Sequence, residues 1–233
     1  MGAKLEVDCN AKRIRITQYF VVEDHTLPGG PPQGFTLMEI HDLMNAYDLA
    51  FNGPVLGGYR FRYCDCEVRF ALELRMPPAR PGDSVLRKGP PMPAGGGVAL
   101  GPKAGGPDHT ITVSPKPDGS FDWATGIDEL GHDLGIPDPL GGTWYWRGNG
   151  GAGRVLERHV ADIFANGRDN RDHYPPGHAL QGWKQKAACC CTGQPKVTRL
   201  SDEEILREQL GASKKKKKKK KGRMGKGAAR KRR

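Results

Sequence analysis

Alternation over residues 13–22 sets the tightest limit on the fold. Ile14, Ile16, Phe20 and Val22 share one face, and Arg13, Arg15 and Thr17 share the other, a period of two that marks a half-buried strand. Such a strand must bury its apolar face against a second layer. The next ordered segment supplies one. Thr36 and Glu39 form a capping box before Leu37, Ile40, Met44, Tyr47 and Phe51, which recur at helical spacing up to the Gly53-Pro54 stop.

The stretch "YRFRYCDCEVRFALELR" alternates twice. Tyr59, Phe61 and Tyr63 lie in one phase, and Cys64, Cys66, Val68, Phe70, Leu72 and Leu74 in the other, so a bulge or tight turn is expected near Tyr63. Residues 76–107 are rich in Pro and Gly without apolar periodicity and are expected to form a long surface loop. A strand follows over 109–113. A helix is expected around Gly126–Gly135, another over 153–164 with Val155, Leu156, Val160 and Ile163 inward, and a short one after the Ser201/Glu204 capping box. The expectation is one α+β domain over 1–200, with a loop insertion at 76–107, a short helix at 201–213 and a basic tail at 214–233.

With 33 Gly and 19 Pro in 233 residues, much of the chain must be irregular. The net charge of +11 looks like a nucleic-acid binder's until it is divided along the chain. Residues 214–233 hold fourteen Lys or Arg and no acid, and taking these from +11 leaves −3 for the rest. Lys214, Lys215, Lys216, Lys217, Lys218, Lys219, Lys220 and Lys221, with Arg230, Lys231, Arg232 and Arg233, repel one another and have almost nothing apolar to fold with. That tail is expected to be disordered and to attract nucleic acid or another polyanion.

The six cysteines are clustered, as Cys9, Cys64 with Cys66, and the run Cys189, Cys190, Cys191. That is not the spread of a small secreted disulfide framework, so reduced thiols are expected. The start "MGAKLEVDCNAKRIRI" has no apolar h-region, so a conventional signal peptide is not expected, and no apolar run is long enough to span a membrane. The expected location is cytoplasmic as synthesised, with two other destinations open: export by another route, or the nucleus of a eukaryotic cell, read through the basic tail.

The chemistry concentrates in "GIDELGHDLGIPDPL". On a helix Asp128 and His132 are four apart and share a face, Glu129 stands about 100° round, and Ile127, Leu130 and Leu134 turn to the core. Gly135 breaks the helix, and the turn through Pro137 returns Asp138 toward the same point. Residues 128–138 resemble the HExxHxxGxxH/D motif of zincin metallopeptidases of the metzincin type, with Asp128 where the first histidine stands. The order strand, helix, strands, edge strand and motif helix is similar to a zincin N-terminal subdomain over residues 12–138. The resemblance implies a zincin-like α+β fold, a small twisted mixed sheet packed on two helices, followed by a loop-rich C-terminal part. It also implies a Zn²⁺ site from Asp128, His132 and Asp138, with Glu129 as general base for hydrolysis of a peptide or protein substrate. Phe164 stands for the family's methionine beneath the metal, and His173 or Tyr174 for a group that reaches substrate, oxyanion or metal.

Two carboxylates and one imidazole leave a divalent ion no net positive charge. Such a site acidifies water less and suits a harder ion such as Mn²⁺. Two readings follow: a metal-dependent peptidase, weakened or inactive through Asp128, or a non-catalytic zincin-like binding protein whose tail docks to a polyanion. Rival motifs are weaker. Gly148, Gly150 and Gly153 spell GxGxxG, but no second strand ending in an acid follows, so a flexible loop near Trp144, Tyr145 and Trp146 is the better reading. The cysteines lack a CxxC pair, and His159 and His178 stand as reserve ligands.

Overall fold

A computed structural model describes residues 3–23, 25–26, 32–80, 83–93, 96–100, 109–136, 155–167 and 181–211. Strand β2 (Arg13–Val22) is the axis of the sheet. Its first half pairs in a hairpin with β1 (Ala3–Asp8), turned at Lys12 with φ 53°. Along nearly its whole length it pairs in parallel with β6 (Cys66–Arg75), so Ile14, Ile16, Gln18 and Phe20 lie beside Val68, Phe70, Leu72 and Leu74. Period two then puts Arg13, Arg15 and Tyr19 on the opposite face with Glu67, Arg69 and Glu73. That face is polar, with Arg15 Nη2 2.8 Å from Glu73 Oε1.

The apolar face is covered by α1 (Leu37–Asn52), which starts at the Thr36/Glu39 capping box and stops at Gly53. Ile40, Leu43, Tyr47, Ala50 and Phe51 are buried, whereas Leu37 is 83% exposed because it sits in the first turn, short of the sheet. The phase change at Tyr63 is a two-residue turn, Cys64-Asp65 with Cys64 at φ 53°, joining β5 (Phe61–Tyr63) to β6.

Residues 76–107 depart from the expected loop. They contain β7 (Ser84–Lys88) and β8 (Gly96–Leu100). Strand β9 (His109–Ser114) pairs in parallel with β7 and antiparallel with β8, which lies at the sheet's end. Their partners are supplied by β9 and the end of β2, so short strands hold without strong periodicity of their own. The sheet is larger than expected, with eight strands in the order β10-β5-β6-β2-β7-β9-β8 and β1 beside β2, where β10 is Val197–Arg199. Two short segments, β3 (His25–Thr26) and β4 (Pro32–Gln33), pair separately.

Helix α2 (Trp123–Asp133) packs against α1, with Gly126 at the crossing: a Cβ there would come within 3.3 Å of Leu43 Cδ1. Helix α3 (Glu157–Asn166) begins four residues later than expected, because Leu156 is extended and its N–H is taken by His159 Nδ1 at 3.2 Å. Val160, Ile163 and Phe164 are buried, and Phe164 stacks on Tyr63 with centroids 4.1 Å apart. A turn of helix α4 (Trp183–Lys186), with Trp183 fully buried, leads into a 3₁₀ turn (Ala187–Cys190), and α5 (Asp202–Ile205) opens at the Ser201 capping box.

The cysteines are not reduced thiols. Cys9 pairs with Cys189, Cys64 with Cys191 and Cys66 with Cys190, closing separations of 180, 127 and 124 residues. Three consecutive residues on a tight turn project in different directions, so each reaches a different partner in the β1–β2 and β5–β6 turns. Clustering in sequence therefore means stapling of the C-terminal segment across the sheet's end. Among the described residues no helix is long and apolar enough to cross a membrane.

Candidate metal centre

Helix α2 is built to present one face. Asp122 caps it, its side chain accepting from the Ala124 N–H at 3.2 Å, and Ile127, Leu130 and Leu134 are buried as their spacing requires. Its end is a Schellman turn: Gly135 at φ 95° donates to the His132 carbonyl at 2.9 Å, and Ile136 donates to the Gly131 carbonyl at 3.1 Å. A side chain at position 135 would strain this backbone, so the glycine is needed.

That turn positions the imidazole. The Ile136 carbonyl oxygen lies 2.9 Å from His132 Nδ1, a contact only an N–H can make, so Nδ1 carries a proton. Nε2 then faces Asp128, 3.7 Å from Oδ2. His132 and Asp128 keep side-chain exposures of 22% and 24%, enough for an ion or water to reach both. Glu129, next along the helix, is 9% exposed.

The donor chemistry fits a divalent ion. Two ligands about 2.0–2.1 Å from a tetrahedral centre stand about 3.3 Å apart, so a 3.7 Å gap closes with a small side-chain adjustment. A histidine whose other ring nitrogen donates to a backbone carbonyl is the usual supported form of a metal ligand. The same pair also reads as an ordinary ion pair when the ring is charged. Asp138, the expected third ligand, lies outside the described residues, as do His173, Tyr174, His178, Trp144, Tyr145, Trp146, the glycines at 148, 150 and 153 and the tail from Lys214 to Arg233.

A buried polar cluster holds the C-terminal end of α2 to the sheet. Gln18, fully buried on the otherwise apolar face of β2, donates from Nε2 to the Leu130 carbonyl at 3.2 Å and to Asp133 Oδ2 at 2.7 Å. Ser84 Oγ donates to the same carboxylate oxygen. Tyr47, buried beside it, has its phenol pushed well above the ordinary range by burial and then by the charges of Asp133 and Asp48. Sequence reading passed over Gln18, Ser84 and Asp133. The available signal was a lone amide among inward-facing apolar residues.

His159 lies within electrostatic reach of His132. Burial first, and then the charges of Arg158 and His132, push its pKa down to about 4. Its Nδ1 is occupied by the Leu156 N–H, and Arg158 Nε stands 3.4 Å from Nε2, so it serves the start of α3 in this arrangement. Among the described residues the one group of three close donors is Cys9, Cys189 and Cys190, whose sulfurs are tied in disulfides and are poor ligands. Comparison with family models, with curated proteins and with solved structures finds no match to the chain.

Proposed function

We propose that this chain is a zincin-like, metal-dependent peptidase domain in which Asp128, His132 and Asp138 hold Zn²⁺ or Mn²⁺ and Glu129 is the general base. The observation that carries the reading is the Schellman turn at Gly135, which leaves His132 Nε2 facing Asp128 Oδ2 at 3.7 Å. Supporting it is the element order: strand, capped helix, further strands that include the antiparallel end strand β8, then β9 between β7 and β8, then the motif helix. A divalent ion bound there supplies Lewis acidity and a water of lowered pKa. Glu129 would take that water's proton as it attacks the peptide carbonyl and pass it to the leaving amine. The three disulfides support, for this reading, a working environment outside the reducing cytoplasm.

A second reading rests on the same pair, because Asp128 and His132 at i,i+4 form an ion pair without metal when the imidazole is protonated. It makes the domain a non-catalytic binding protein whose tail docks to nucleic acid or another polyanion. Elemental analysis of the purified chain separates the two. Near-stoichiometric zinc or manganese that is lost in His132→Ala and Asp138→Ala supports the metal site, and a metal-free chain of equal stability supports the binding protein. Glu129→Gln is expected to keep the metal and abolish peptide hydrolysis, so undiminished cleavage in that variant removes Glu129 from the mechanism.

A further inference from the structure

Strand β6 is paired on its outer side for only part of its length. β5 covers Cys66 and Val68, and the side chain of Asn52 then substitutes for a strand, its Nδ2 donating to the Phe70 carbonyl at 2.7 Å and its Oδ1 accepting from the Phe70 N–H at 2.9 Å. Strand period puts the N–H and C=O of Leu72 and Leu74 on the same outer edge. Among the described residues no strand or side chain takes them.

A groove of about 500 Å³ runs along this edge. Its α1 wall carries Met44 and Asp48, and Leu56, 92% exposed, forms its lip. The Asp48 carboxylate accepts from Asn52 Nδ2 at 2.6 Å and, among the described residues, makes no ion pair. A second copy of the chain fits poorly. Antiparallel self-pairing centred on Leu72 sets Arg69 against Arg75, and pairing centred on Glu73 sets that residue against itself.

We propose that this edge is a docking site for an extended segment of a partner protein, which adds a strand beside Leu72 and Leu74 and places a basic side chain on Asp48, flanked two residues away by apolar ones. Backbone hydrogen bonds supply the affinity of strand addition, and the alternate side chains supply its selectivity. Here the side chains turned toward α1 meet Met44, Leu56 and the Asp48 carboxylate, which selects an apolar–x–basic–x–apolar pattern. The site lies away from β8 and does not depend on metal at Asp128 and His132.

The test uses the full chain and a terminally blocked seven-residue peptide with lysine at its centre and valine two residues to either side, titrated by fluorescence anisotropy. Saturable binding is expected, weakened about tenfold in Asp48→Asn, the loss of one charge-assisted contact. Binding should vanish when the peptide amides facing the edge are N-methylated, a control that leaves the protein untouched. Hydrogen exchange should show the Leu72 and Leu74 amides open in the free monomer and protected by the peptide. No saturation at millimolar peptide, equal binding by Asp48→Asn, or equal binding of the methylated peptide would overturn the proposal. So would protection of these amides in the free monomer, which would mean that the chain fills its own edge, or protection that appears only with dimerisation.

Discussion

Gly135 does more for the site than end a helix, because the backbone it permits carries the Ile136 carbonyl to His132 Nδ1. Gly135→Ala puts a Cβ at φ 95°, which costs about 1–2 kcal/mol. The expected outcome is a lowered urea midpoint and, on the proposed metal-binding reading, a fall in metal content, since the imidazole loses its anchor. His159 makes a prediction about pH. Its folded pKa of about 4 lies below the 6.5 of an ordinary histidine, so the unfolded chain binds a proton that the folded chain refuses between these values. Stability should therefore be fully present above about pH 6.5 and fall as pH drops toward 4. His159→Gln should flatten that slope in urea midpoints taken across the window. The motif residues were legible because helical spacing and a glycine stop are local facts. Gln18, Ser84 and Asp133 were not, because Asp133 stands 115 residues from Gln18 and 49 from Ser84, and they meet only when α2 lies on the sheet.

At the scale of elements, what could be read was whatever closes its hydrogen bonds locally. The Thr36/Glu39 and Ser201/Glu204 capping boxes and the Cys64-Asp65 turn all use groups within three residues of one another. Thr36→Ala should cost about 1 kcal/mol, read as a lower thermal midpoint, because Glu39 loses the hydroxyl that accepts its N–H at 3.2 Å. Strands β7 and β8 stayed hidden for the opposite reason. β8 opens with two glycines, Gly96 and Gly97, and β7 is five residues long with no alternation; each is a strand because β9 offers it a ladder. Propensity is weak evidence where a neighbouring strand supplies the pairing.

Across the whole molecule the disulfides are the largest revision and give the most direct test. A purified, unreduced chain unfolded in guanidinium should show no free thiol, and reduction should release six. Each bridge closes a loop of more than 100 residues, so removing one, as in Cys66→Ser with Cys190→Ser, should cost about 2–5 kcal/mol of stability. Full retention of the thermal midpoint in strong reductant would remove the staple from the account.

The amino-acid order by itself determined the alternating strands, the capped helices, their stops and the spacing of Asp128, Glu129 and His132, because each depends on dihedral preferences and hydrogen bonds spanning a few residues. Only the tertiary structure decided which cysteines meet, where β7 and β8 find partners and which edge of β6 is left unpaired among the described residues. Those outcomes turn on contacts between distant segments, and a chain's local pattern does not say which distant surface will bury it.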